Sequence, residues 1–288
     1  MKATCRPPAF RICAKLVSVA IALAIVGVTL DQDAHAGDVD LGTANNFAVL
    51  AGSTITNTGP TTVSGGNIGV SPGSAITGFP PGTIAPPSTT HLADAVALGA
   101  QKDLATAYNT AAGLARNAVL TGEDLGGLTL TPGVYFFASS AQLTGTLTLD
   151  DQGNPDAVFV FQIGSTLITA SGSSVRTIND PDAGAAVPGV SVFWQVGSSA
   201  TLGTGTDFEG NILADTSITV NTGAIVDGRL LAENGAVTLD SNAIAAPPAE
   251  VIGGGGSPVP DTGGTLLLLG AGVAALLACS RRSPFFQR

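Results

Sequence analysis

The chain has 288 residues, a formal net charge of −10, 38 glycines, three cysteines and only 11% charged residues. Across residues 37 to 258 only Lys102, Arg116, Arg176 and Arg229 are basic, against 18 acidic residues, so the stretch carries about −14 and lacks the clustered cations that nucleic acid requires. Cys5, Cys13 and Cys279 lie near the two ends; the body therefore has no thiol for a disulfide, a zinc site or a nucleophile, and must hold together by apolar burial and hydrogen bonding.

At the N-terminus, Lys2, Arg6, Arg11 and Lys15 precede an apolar run over 16–30, and Ala34-His35-Ala36 supplies the small-x-small pattern of a signal-peptidase site. A signal peptide over 1–36 and a mature start at Gly37 are expected. A retained anchor is the rival reading, but the run is short for ~30 Å of hydrocarbon.

Short apolar runs alternating with Thr or Ser then read as strands at 47–56, 61–70, 127–138, 142–149, 157–163, 175–178, 190–196, 208–213, 218–220, 224–231 and 236–239. One segment departs from this pattern. Over about 90–119, Leu92, Val96, Ala100, Leu104, Ala107, Ala111, Leu114 and Ala118 recur at intervals of three or four, which predicts one long helix with Thr89 or Thr90 as its N-cap. Thr-Gly phrases, such as those at 143–149, 201–206 and 217–223, recur along the chain, loosely at roughly 18 to 24 residues where they follow one another, as at Thr58-Gly59 and Thr77-Gly78 or Thr204-Gly205 and Thr222-Gly223; this is the period of a stacked β-solenoid rather than a sandwich.

A Gly/Pro linker over 247–258 leads to Val259, Pro260, Asp261, Thr262 and Gly263, an apolar stretch over 265–279, and Arg281-Arg282. This order resembles the exosortase-type C-terminal sorting signals of Gram-negative bacteria, with Thr262 where Ser is usual. The resemblance implies processing by signal peptidase and an exosortase-like protease, with the C-terminal segment in the membrane beforehand and the body at the cell surface or released. A permanent single-pass anchor is the alternative.

Leu41-Gly-Thr-Ala-Asn-Asn-Phe-Ala-Val-Leu50, Gly69-Val-Ser-Pro-Gly73, Asp124-Leu-Gly-Gly-Leu-Thr-Leu-Thr-Pro-Gly-Val-Tyr135, Val158-Phe-Val-Phe-Gln-Ile-Gly-Ser165, Val192-Phe-Trp-Gln-Val-Gly-Ser198 and Gly228-Arg-Leu-Leu-Ala232 resemble, in order, the microbial ice-binding proteins of the DUF3494 family. The resemblance covers the domain at 37–246 and implies an all-β, right-handed discontinuous β-helix with the long helix alongside. It also implies a flat Thr-rich face that adsorbs to the ice crystal surface. Relatives often carry a cysteine pair near 116–118 and 183–188, which this chain lacks. The family's Thr-(Ala or Gly)-x-(Thr or Asn) phrase occurs at Thr58 to Thr61 and at Thr43 to Asn46, and formally at Thr106 to Asn109 inside the predicted helix.

Thr suits such a face because its β-branched stem is stiff and offers a hydroxyl beside a methyl at little rotamer cost. The residues expected on it are Thr58, Thr61, Thr144, Thr146, Thr169, Thr204, Thr206, Thr219 and Thr222. No cofactor, metal or covalent chemistry is expected. Gly69-Val-Ser-Pro-Gly73 fits a nucleophile elbow only in letters, since Pro72 and a turn-rich stretch follow Ser71 where a helix must start. His91 is the body's lone histidine, Asp150 to Asp156 reads as a solvated acidic turn, and Asp207 with Glu209 lies on an apparent turn without nearby basic partners. Tyr135, Phe159, Phe161 and Trp194 read as core. The competing function is a non-enzymatic surface, matrix or adhesion protein that keeps the fold without ice affinity.

Overall fold

The computed structural model describes residues 39–181 and 191–247; the signal-like segment, the linker beyond 247 and the sorting-like tail lie outside the described residues. Three parallel sheets wrap the chain into coils, each coil giving one strand to each sheet. After a short 3-10 turn (Gly42–Asn46), the first coil is β1 (Phe47–Ala51), β2 (Thr54–Thr58) and β3 (Thr62–Ser64), and the second is β4 (Asn67–Val70), β5 (Ala75–Thr77) and β6 (Thr83–Ile84). β7 (Thr90–Leu92) leads into helix α1 (Ala95–Gly113), after which β8 (Ala118–Val119) and β9 (Thr129–Leu130) open the second half.

Five full coils follow. They are β10 (Gly133–Phe137), β11 (Ala141–Leu143) and β12 (Thr146–Asp150); β13 (Val158–Ile163), β14 (Leu167–Thr169) and β15 (Ser174–Ile178); and β16 (Ser191–Val196), β17 (Ala200–Leu202) and β18 (Asp207–Glu209). The last two are β19 (Asn211–Ala214), β20 (Ile218–Val220) and β21 (Ile225–Asp227), then β22 (Leu230–Ala232), β23 (Val237–Asp240) and β24 (Ala243–Ala245).

Sheet A runs β7-β4-β1-β22-β19-β16-β13-β10-β8, sheet B runs β11-β14-β17-β20-β23-β2-β5, and sheet C runs β6-β3-β24-β21-β18-β15-β12-β9. The stack is therefore discontinuous in sequence: the first coil sits on the last, with Val49 beside Leu230, Thr56 beside Thr238 and Val63 beside Ile244. Arg229 ties this junction. It is buried, and it donates from Nε to the Asn45 carbonyl at 3.1 Å and from its two terminal nitrogens to Asn211 Oδ1 at 3.2 Å and the Pro247 carbonyl at 2.8 Å.

Inside the solenoid, alternate residues of all three sheets converge on one apolar core. Tyr135, Phe161 and Trp194 stack rung on rung in sheet A, with centroids 5.5 and 4.0 Å apart, and Phe208 reaches Trp194 from sheet C at 5.1 Å. Offset stacking of this kind adds to simple burial. The Trp194 indole is satisfied by the Glu209 carbonyl at 3.1 Å. Asp207 and Glu209 thus belong to a strand, not a turn, because Phe208 between them plugs the core.

Sheet A is apolar on its outer side as well, since α1 covers it. Leu50, Val134, Val160, Phe193, Leu213 and Leu231 meet Ala100, Leu104, Ala107 and Ala111; a sheet buried on both faces reads as a continuous apolar run rather than an alternation. The helix is shorter than its periodicity suggests. Thr90 to Leu92 pair with Ile68 to Val70 as β7, so the N-cap is Asp94, whose carboxylate accepts from the Ala97 amide at 2.8 Å, instead of Thr89 or Thr90. At the other end Ala118 and Val119 pair with Tyr135 and Phe136, and Gln162 Nε2 satisfies the Ala111 and Leu114 carbonyls at 2.8 and 3.0 Å. Strand pairing removed the two flanks that apolar spacing assigns to the helix.

Candidate functional site: the outer face of sheet B

Strands β17, β20, β23 and β2 each place one Thr between two inward apolar or amide side chains, β5 ends on Thr77 after the inward Ile76, and the pairing brings those threonines into a single file. Thr201 lies beside Thr219, Thr219 beside Thr238, Thr238 beside Thr56, and Thr56 beside Thr77. Five rungs at a stacking distance of ~4.8 Å make a hydroxyl and methyl ladder about 19 Å long. Thr56, Thr77 and Thr238 are exposed, and Thr201 and Thr219 are half-exposed. Beyond Thr201 the file continues with Ile168 and Gln142. Ser199, Ser217, Ala236, Thr54 and Ala75 occupy the outward positions two residues earlier, so that side of the ladder also carries small side chains.

A second file runs along the corner between sheets B and C. The amide of Gly172 donates to the Thr204 carbonyl at 2.9 Å, Gly205 to Thr222 at 3.1 Å, and Gly223 to Asp240 at 3.1 Å, while Ser241 donates to the Thr58 carbonyl at 2.9 Å. Thr204, Thr222, Asp240 and Thr58 are stacked by these bonds. Gly172, Gly205 and Gly223 have φ of +67, +65 and +72°, the left-handed region that only glycine enters without strain, which is why Thr-Gly recurs at this corner.

Of the residues expected on the face, Thr219 is in the ladder, Thr58, Thr204 and Thr222 are in the corner file, and Thr144 is exposed two residues past Gln142. Thr146 is exposed on sheet C, paired with Ser174 and bonded to its hydroxyl at 2.9 Å, so it belongs to a different face. Three others require correction. Thr61, Thr169 and Thr206 point inward and are buried, and no crystal surface can reach them. Thr169 and Thr206 share a hydrogen bond of 2.9 Å, Thr169 accepts from the Gly203 amide at 2.8 Å, and Thr61 donates to Asn57 at 2.5 Å. They satisfy buried polar groups at the corner, a structural task.

The residues passed over are Thr56, Thr77, Thr201 and Thr238. For Thr201 and Thr238 the signal was present: in Ala200-Thr-Leu202 and Val237-Thr-Leu239, as around Thr219, a single Thr is bracketed by two apolar residues, which forces it outward once its neighbours face the core, whereas Thr56 and Thr77 are followed by Asn57 and Gly78 and lack that bracket. The formal phrase at Thr106 to Asn109 lies in α1, where Thr106 and Asn109 bond back to the Lys102 and Ala105 carbonyls at 3.1 and 2.7 Å. Thr43 is held by Asp103 of α1.

The other faces differ in kind. Sheet A is covered by α1, and sheet C presents Arg176, Asp207, Glu209 and Asp227, with Arg176 and Asp207 3.7 Å apart. Burial pushes the Glu209 and Asp227 carboxyls above their ordinary values, and in both cases neighbouring carboxylates add to the rise. No group of three metal-ligating side chains converges among the described residues. Ser71 is buried ahead of β5, with no helix after it, and His91 sits in β7 against Asp94 and the Phe47 ring.

Among the described residues, sheet B thus presents a regular file of hydroxyls with a single ionisable strand residue, Asp240. The chain belongs to the ice-binding-like family, whose model matches residues 49–245. It is 55% identical over 270 residues to an ice-binding protein from Nostoc sp. (strain HG1), covering 91% of this chain and 95% of that one. Among solved structures it resembles the crystal structure of an ice-binding protein from an Antarctic biological consortium, at 46% identity and a TM-score of 0.67, covering 73% of this chain and 92% of the other. It also resembles the ice-binding protein from the Antarctic ascomycete Antarctomyces psychrotrophicus, at 40% identity and a TM-score of 0.66, covering 73% and 99%.

Proposed function

We propose that the protein binds ice through the outer face of sheet B. The carrying observation is the five-rung file of Thr201, Thr219, Thr238, Thr56 and Thr77, held in register by parallel pairing. Each threonine offers one hydroxyl donor, two acceptor positions and a methyl on a stem with restricted rotation. A repeated array of this kind holds surface water in a lattice-like layer that an ice crystal incorporates. Many weak contacts made together leave the adsorbed molecule effectively fixed, and ice grows only between bound molecules.

The test is ice-crystal morphology and thermal hysteresis on residues 37–246. Thr219→Tyr and Thr238→Tyr, each placing a ring proud of the ladder, are expected to lose crystal shaping with unchanged circular dichroism, whereas Thr146→Tyr on sheet C keeps it. Full activity in both ladder variants would sink the face assignment. The rival reading, a surface or matrix protein without ice affinity, draws support from Ile168 and Gln142, which break the threonine file at one end. Round crystals with no freezing gap from folded wild type would favour it. Export fits the ice reading, because ice forms outside the cell; the pattern at 1–36 and the motif at Val259 to Gly263 support that route.

A further inference from the structure

Across the seven strands of sheet B, all within the described residues, a single residue is ionisable: Asp240 at the end of β23. It stands in the corner file where the rungs on either side carry Thr222 and Thr58, and two residues after Thr238 of the central ladder. Resting on the ice-binding reading, we propose that Asp240 is a brake on that face: it sets how strongly the surface holds ice, and the protein binds more weakly than its scaffold allows.

The reason lies in hydrogen-bond character. Water in ice both donates and accepts, and a Thr hydroxyl can match it in both senses, but an ionised carboxylate only accepts. Its charge draws the donor ends of nearby waters toward itself and so breaks the alternation the layer needs. Asp240 also removes hydroxyl protons from the face. Thr222 donates its hydroxyl to one carboxylate oxygen and Ser241 donates to the other at 3.1 Å. The run of Thr204, Thr222 and Thr58 is thereby interrupted between Thr222 and Thr58, two residues after Thr238 of the ladder.

The experiment compares thermal hysteresis at equal concentration for the full chain and three variants. Asp240→Thr completes the corner file. Asp240→Asn is nearly isosteric, still accepts from Thr222, and carries no charge, so it keeps the test alive if the threonine variant folds poorly. Asp227→Asn removes the same charge from sheet C. Both Asp240 variants are expected to raise the freezing gap by about twofold or more, with Asp227→Asn unchanged. An Asp240→Asn gap equal to or below wild type, in protein with native circular dichroism, overturns the brake while leaving the ice face standing. A rise of equal size in Asp227→Asn also overturns it, since net charge alone would then account for the gain. Silence in wild type and in every variant overturns both the brake and the ice-binding reading beneath it.

Discussion

Glu233 gives the sharpest test of the energetics that hold α1 against the solenoid. It follows β22 at the corner between sheets A and B, one rung from Asp215, and its Oε1 is buried without a hydrogen-bond partner. Around it, Gln101 of α1 donates to the Ala232 carbonyl at 3.2 Å, and the Tyr108 phenol is raised by burial and by both carboxylates. Burial first and Asp215 second push the Glu233 carboxyl from 4.5 up to about 7. At about 1.36 kcal/mol per pKa unit the ceiling on the effect is about 3 kcal/mol; the side chain is only half-buried, so solvent screening reduces this to on the order of 1 kcal/mol. The sign follows from linkage. Near pH 4 the group is mostly neutral in both states and costs little; as pH rises from the unfolded value toward about 7 the unfolded chain ionises first, and the folded state loses stability until the full penalty is present above that. Glu233→Gln is therefore expected to be more stable than wild type at pH 8, by about 2–4 °C in Tm, and equal to it near pH 4. Thermal melts at the two pH values read this directly. Equal midpoints at pH 8, or a difference that does not change with pH, would refute the reasoning.

Two further outcomes separate structure from function. Thr169→Val keeps the shape of a buried residue but strands the Gly203 amide and removes a partner of Thr206; urea unfolding should show a loss of about 1–3 kcal/mol, while ice shaping by the folded fraction is retained. A loss of shaping without a loss of stability would return Thr169 to the face. If residues 1–36 are a signal peptide, protein recovered after export will begin at Gly37, and an intact mass that includes Met1 would rule this out.

Much of the solenoid was legible without coordinates. Alternation in segments such as 142–149 and 236–239 identifies strands with one wet side, intervals of three and four identify α1, and the aromatic residues at 135, 159, 161 and 194 are core because their strands are dominated by apolar residues. The boundaries of α1 were not legible, since Leu92 and Ala118 continue its periodicity yet belong to strands whose partners are 22 and 17 residues away. Helical spacing is a local property, whereas the decision to pair is made by a neighbouring coil.

The face divides along the same line. By itself the sequence determined that Thr219, bracketed by Ile218 and Val220, points outward, because side chains alternate along a strand and apolar neighbours choose the core. It could not separate Thr204 and Thr222 from Thr169 and Thr206, which sit in similar Thr, Ser and Gly phrases but turn inward. At a corner the glycine conformation, not alternation, sets the direction, and a shift of one residue reverses the side. Nor does the sequence place Thr56 against Thr238, 182 residues away. Only the tertiary structure does so, by seating the first coil on the last, because parallel pairing is a non-local set of hydrogen bonds whose register is settled when the shared core closes.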